Sequence, residues 1–437
     1  MWDRLIKQLD SFDGQERWAA LVELVQDYSD KFGETNELLN CHSHTFYSYN
    51  AYGYSPSHFA WLAKERGLEL AGIVDFDVLD GLAEFFQACD LLKLKGCVSL
   101  ESRVYVPEFS SRVINSPGEP GIAYHMGLGF TTTELPESAA EFLAGMRRSS
   151  EQRNRGLLER VNAFMKPVEL DYEKDVLVLT PGGNATERHI CAAYAAKAVE
   201  IFGEGDALQE FWCSKLGVSG AELDLPEGGK LQGLIRAKSM KRGGVGYVQP
   251  GPDSFPAMSA MNKFVLESGA IPALTWLDGT SEGEQAIEEL LEVSKASGVA
   301  AVNIIPDRNY TVGVKDDKLS NLYAIVELAQ KHGLPVLVGT EMNSPGNKFV
   351  DDFDAEELKP LVPEFRKGAH IIYAHTVLQK QAGLGYLSSW ADKVFDDVFA
   401  KNEFFEEFGK SFEPGMEDSL AAVNADFVPQ EILAIVK

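Results

Sequence analysis

Cysteine is scarce in this chain. Of 437 residues only five are cysteine (Cys41, Cys89, Cys97, Cys191 and Cys213), an odd number, scattered and without C-x-x-C spacing. That usage fits a reducing compartment better than a disulfide framework. Long apolar runs are missing as well, since none approaches the roughly 18 residues that argue for a membrane span. The opening MWDRLIKQLDSFDGQERWAALVELVQDYSD spreads charge through an amphipathic helical pattern and has no apolar h-region, so it does not read as a secretory leader. Basic residues are outnumbered, 40 Lys+Arg against 66 Asp+Glu, for a formal net charge of −26. With no basic stripe to offset it, this balance excludes a long nucleic acid or an anionic membrane surface as an unassisted partner. A small anionic substrate would need a local cationic pocket or a bound metal. The expectation is a soluble, cytoplasmic protein acting on a small molecule; the sequence sets no oligomeric state.

What is present is enough apolar material, 45% of residues, to bury a large core. Residues 1–37 read as an N-terminal helical segment. From residue 38 short apolar runs alternate with helical patterns, the signature of an α/β layer or barrel. ELLNCHSH reads as a strand. SPSHFAWLAKERG is a helix with a serine cap, Pro56 near its start and Gly67 past its end, and LELAGIVDFD is the next strand. CVSLESRVYVPEF and AYHMGLGF complete this part at residue 130. Residues 131–265 are mainly helical between Gly and Pro clusters and are read as an insertion or cap. SGAIPALTWLDG, VAAVNIIP and LPVLVGTEMN restore the strand–helix alternation over 266–345. Residues 346–437 are read as an α/β extension packed on the barrel, with AHIIYAH as a strand candidate.

The stretch LLNCHSHTFYSYN carries the sharpest chemical signal. Residues i and i+2 of a strand share a face, so His42 and His44 point together and form half of a metal site. Other ionisable groups stand at predicted strand ends: Asp75, Asp77, Glu101, His125, Asp278 and Glu341. In parallel barrels such ends gather on one face. Glu101 and Glu341 lie in apolar surroundings, where a carboxylate is costly unless paired or metal-bound. Asp75, Asp77 and Asp278 read equally well as caps or turn residues, and His58, His332 and His370 as surface or helix-end residues.

At these residues the sequence resembles the polymerase and histidinol phosphatase (PHP) superfamily. CHSHT resembles its H-x-H opening, YSPSHFAWLAKERGLELAGIVDFD its S-P…T-D-H-D segment, and GLPVLVGTEMN its closing motif. Glu101 matches the bridging glutamate and His125 the histidine of the following strand. The resemblance covers 38–130 and 268–345. It implies a distorted (β/α)7 barrel, a metal-dependent phosphoesterase activity and one or two divalent ions, with Zn, Mn or Fe suiting the ligands. His42, His44, Glu101 and Glu341 would form one position, and Glu101 with His125 and Asp75, Asp278 or water a second. Asp75 or Asp77 would be the general base. Arg188 with His189, Arg103, Lys348 and Asn343 are the candidates for binding an anionic substrate. Phe76, Asn343, Trp276 and Asn50 depart from the family's pattern at places that bear ligands, so a third metal position should be absent. The same departures leave open a catalytically degenerate barrel that only binds a metal or small molecule, and a hydrolase of non-phosphate bonds.

Overall fold

The computed structural model describes residues 2–310 and 316–437. Seven strands form one sheet in sequence order: β1 (Leu39–Ser43), β2 (Leu70–Phe76), β3 (Lys95–Tyr105), β4 (Ile122–Leu128), β5 (Ile271–Trp276), β6 (Ala301–Ile304) and β7 (Val336–Val338). Neighbours are parallel except around β4, which runs antiparallel to both β3 and β5. Almost every strand residue is buried, as expected where helices cover one face and a barrel interior fills the other.

The sheet closes on itself just past β7. Glu341 N donates to His42 O at 2.8 Å, His44 N donates to Glu341 O at 2.9 Å, and Ser43 and Glu341 form a parallel bridge. Glu341 and Met342 adopt φ of 62° and 53°, left-handed values that cost of order 1–3 kcal/mol in residues with a Cβ. The chain therefore turns sharply at the seam, and the turn delivers Glu341 beside the two histidines.

The first three helix and strand segments fall where the sequence places them. The helix Pro56–Glu65 is capped by Ser55, whose side chain accepts from His58 N. Residues 131–265 are mainly helical, and residues 157–240 hold a second apolar core around Leu158, Tyr194 and Trp212. The helix Glu137–Met165 joins the two cores: Ala139 and Met146 pack with the barrel, Leu157 and Val161 with the second cluster. At 29 residues it is roughly 43 Å long at 1.5 Å per residue. Met258–Glu267 returns the chain to the barrel core.

Two expectations are corrected. AHIIYAH is not a strand but the middle of the helix Val362–Ala382, buried without a break from Gly368 to Leu378. A helix enclosed on all sides loses the 3.6-residue polarity signal, and a short apolar run then looks like a buried strand. The structure shows no strand in the described residues of 346–437. His370, expected at the surface, is 1% exposed and its Nε2 meets Glu69 Oε1 at 2.8 Å; His58 is likewise buried, with Nδ1 2.7 Å from Asp10. Among the described residues no helix is long and apolar enough to cross a membrane.

Candidate metal centre

His42 and His44 project from β1 to the same side, with ring centroids 5.4 Å apart. Glu101 reaches them from β3. Its Oε2 lies 3.2 Å from His44 Nε2 and 3.7 Å from His42 Nε2. All three side chains are almost fully buried, and these three atoms have no hydrogen-bond partner. Three orphaned polar atoms converging inside a barrel are costly unless something fills the space between them. Two imidazole nitrogens and a carboxylate oxygen suit a borderline divalent cation.

The atoms behind the ligands fix which nitrogen is free. His42 Nδ1 is 3.1 Å from Asn303 Oδ1 on β6, an acceptor, so the proton sits on Nδ1 and the Nε2 lone pair faces Glu101. His44 Nδ1 is 3.1 Å from Ser48 Oγ. Ser48 uses its own hydrogen on Asp75 Oδ1 at 2.6 Å, so its oxygen accepts from His44. Both imidazoles are thus oriented as ligands, with the outer hydrogen bond that metal-bound histidines characteristically make. Burial opposes the charge on Glu101, but its contacts with His42 and then His44 hold the carboxyl at about 2. Burial also opposes the charge on His42, yet Glu101, then Glu341 and Asn303, raise it above the usual imidazole range. Asn303→Ala should weaken divalent-metal affinity about 10- to 100-fold, read by competition against a chelator. Native affinity in that variant would remove Asn303 from the site.

The other expected residues are distributed as follows. Glu341 lines a cavity beside the cluster, with Oε2 3.0 Å and Oε1 3.3 Å from Arg308 Nη2; it lies outside the His42–His44–Glu101 group. Asp75 stands behind His44, receiving hydrogen bonds from Thr45 N (2.9 Å), Thr45 Oγ1 (2.7 Å) and Ser48 Oγ. Asp77 lines the cavity, accepts from Ser102 Oγ at 2.5 Å and has a φ of 59°. His125 is not brought to the cluster. On β4 it pairs with Ser102 while Met126 pairs with Glu101, so it faces the opposite side of the sheet, with Nε2 2.5 Å from Asn262 Oδ1 on the helix Met258–Glu267. Burial holds it neutral, at about 4. Asp278 is also elsewhere, paired with Lys318 at 2.7 Å and accepting from Thr280. Phe76 stacks on His44, ring centroids 4.4 Å apart.

Beside the cluster, with Phe76 and Glu341 in its wall, opens a cavity of ≈ 460 Å³ lined by barrel residues and by residues of the helical segment 131–265; His42, His44 and Glu101 do not themselves line it. Seven basic side chains line it against four carboxylates, in a chain whose overall balance is strongly acidic. Arg236 and Lys241 share one carboxylate, Glu187, at 2.8 and 2.7 Å. Arg103 pairs with Glu119 at 3.1 Å and lies over Phe255, as does Arg153. Among the described residues Arg153, Arg160 and Arg188 have no ion pair; Arg160 donates to Gly246 O and Arg188 to Ser344 Oγ. Asn343 lines the wall. His189 closes a capping box with Thr186, accepting from its backbone N–H at 3.0 Å, and Lys348 lies on Asp307 at 2.8 Å. The GGNATE loop sits on the barrel rim, Asn184 Nδ2 donating to Phe76 O at 2.8 Å.

Sequence reasoning missed Asn303, Ser48, Arg308, Tyr124, Arg153, Arg236 and Lys241. Only Asn303 had a local signal, an amide in the middle of the apolar run VAAVNIIP. The cap cations reach the site through tertiary packing that no local pattern encodes.

No protein-family model matches the sequence, and no curated protein does. Solved structures similar to it include an amidohydrolase from Chromobacterium violaceum with bound sulfate and no metal, at 17% identity and a TM-score of 0.48, over 70% of this chain and 88% of that one. Another is a protein from Bifidobacterium adolescentis provisionally described as a metal-dependent phosphoesterase, at 16% identity and a TM-score of 0.49, over 75% of this chain and 96% of that one.

Proposed function

We propose that this chain is a metal-dependent hydrolase of the PHP type, cleaving a phosphate ester of a small anionic molecule held between barrel and cap. The observation that carries the reading is the convergence of His42 Nε2, His44 Nε2 and Glu101 Oε2, three buried atoms with no other partner. A divalent ion held by His42, His44 and Glu101 would supply a nucleophilic water at neutral pH and polarise the bond under attack.

The rest is the work of the chain's own groups. Asn303 and Ser48 hold the imidazoles in their ligand tautomer, and Asp75 acts through Ser48 as a positioning residue. Asp77 is the cavity carboxyl suited to moving a proton: burial raises it above the ordinary carboxylate range, although Ser102, Arg153 and Arg103 pull the other way, and a raised value brings an acid–base group towards neutral pH. The cationic wall, above all Arg188 and the Arg236–Lys241 pair, receives the anion. The aromatic surfaces of Tyr49 and Phe255 flank it and suit an organic body attached to the phosphate.

A second reading, a barrel that binds metal without turnover, draws on Phe76, whose ring stacks on His44 and cannot be a ligand. One assay separates the two. Chain stripped of metal and reloaded with Mn²⁺ or Zn²⁺ should release inorganic phosphate from at least one member of a panel of phosphate monoesters, and His44→Ala should abolish that release. Metal uptake at full stoichiometry with no turnover of any phosphate, carboxylate ester or amide would establish the second reading instead.

A further inference from the structure

The cluster His42, His44 and Glu101 is the only group of three metal-ligating side chains among the described residues, and each other candidate ligand is already engaged. Asp75 is filled by Thr45 and Ser48, Asp278 by Lys318, and His125 faces the far side of the sheet. Phe76 covers one face of His44. Glu341, which the closing turn brings beside the histidines, has both oxygens on Arg308 Nη2.

Arg308 itself has an unusual placement. It follows β6 directly, on the short helix Pro306–Asn309, so its backbone is anchored at the same barrel mouth as the ligands. The Arg308 side chain is half-exposed and lines the cavity, whereas its partner Glu341 is 9% exposed. Nη2 is the one guanidinium nitrogen of Arg308 that is hydrogen-bonded among the described residues, which leaves further N–H donors turned to the cavity. The fork geometry of a guanidinium matches two oxygens of a phosphoryl group.

Resting on the hydrolase reading above, we infer that this is a one-ion centre in which the Arg308 guanidinium, fixed by Glu341, supplies the second positive charge and grips the phosphoryl oxygens of the substrate. A second cation beside Glu341 would meet the guanidinium at close range and be repelled by it. A guanidinium always carries its charge and, unlike a second ion, cannot be removed by chelation. Arg308 is on this account a catalytic residue, in direct contact with substrate, and Glu341 is the residue that positions it.

Two readouts, neither of them turnover, test the inference on the full chain. Titration with Mn²⁺ by calorimetry, checked by plasma mass spectrometry, should saturate at one ion per chain in the native protein. Inorganic phosphate binding to the Mn²⁺-loaded protein should weaken at least tenfold in Arg308→Ala, and Arg308→Lys should recover part of the loss. Arg308→Gln serves the same purpose if the alanine variant does not fold, which circular dichroism will show. A purely structural arginine would lower the melting temperature and leave phosphate affinity unmoved in the folded variant, which would overturn the assignment. Two ions per native chain would overturn the one-ion centre while leaving the hydrolase reading intact. No bound ion at all would overturn the hydrolase reading, and this inference with it.

Discussion

Glu101→Ala protein should retain less than a tenth of the divalent metal that the native chain takes up, measured as metal atoms per chain by plasma mass spectrometry after dialysis against metal-free buffer. The carboxylate is the only anionic member of the cluster and the only one that touches both imidazoles. Two neutral nitrogens without it lack the charge that offsets dehydration of a divalent cation in a buried pocket. The variant also separates metal binding from folding. Glu101 favours the charged form of His42, and removing one member of a buried charged pair costs up to about 3–5 kcal/mol. Here the loss should be smaller, because an imidazole can shed its proton and become neutral. Glu101→Gln preserves the volume and should unfold closer to the native protein, yet bind as little metal as the alanine variant. Full metal content in either would place the ion somewhere other than His42, His44 and Glu101.

The same three residues show why part of the site was readable in advance. The two-residue period of a strand puts His42 and His44 on one face whatever the fold around them, and a glutamate inside the apolar run CVSLESRV has few explanations other than pairing or metal. Face parity on another strand is a different matter. Whether His125 or its neighbours Tyr124 and Met126 share the face of Glu101 depends on the register between β3 and β4, which the long connecting segment 106–121 helps to set and the strand residues alone do not reveal. That register pairs Met126 with Glu101, and it is Tyr124, one residue before the expected ligand, that lines the cavity. The reversed direction of β4 is invisible for the same reason.

The cation wall was legible only as a requirement. The acidic balance of the chain demanded a local basic pocket for any anionic substrate, and Arg188 and Arg103 were named for it. Arg153 and Arg236 stand on helical segments, and Lys241 directly after one, whose polar faces look like ordinary solvated surface. Only the packing of the second core, with Leu157, Ile235 and Met240 buried beside them, turns those faces towards the barrel mouth. Asn303, Ser48 and Asp75 lie between these extremes. Asn303 and Asp75 are polar groups within apolar strands and Ser48 lies in the turn after β1, but their joint purpose, orienting two imidazoles, appears only when three strands are brought together.

Gly339→Ala should be among the most damaging single-methyl changes in the chain, lowering stability by about 3 kcal/mol or more and metal affinity along with it. A Cβ at this position would lie 2.3 Å from His42 N, 2.4 Å from Asn40 Oδ1 and 2.7 Å from His42 Cβ, distances that force backbone to move. The neighbour it would displace is the fastening of the barrel seam. Asn40 Nδ2 donates to Thr340 Oγ1 at 2.9 Å and to Phe349 O at 2.7 Å, and its Oδ1 accepts from His42 N at 3.1 Å, so one amide side chain ties β1 to the segment after β7. Pushing it aside opens the seam at the point that sets the position of His42 and delivers Glu341. Misplacing a site group by about 1 Å is enough to cost roughly a hundredfold in function. Denaturant unfolding and a metal titration on the same sample should therefore report two losses from one methyl group. Native stability with native metal affinity would mean that the strands of the seam can part without consequence, and that the closure of the barrel is not what holds the centre together.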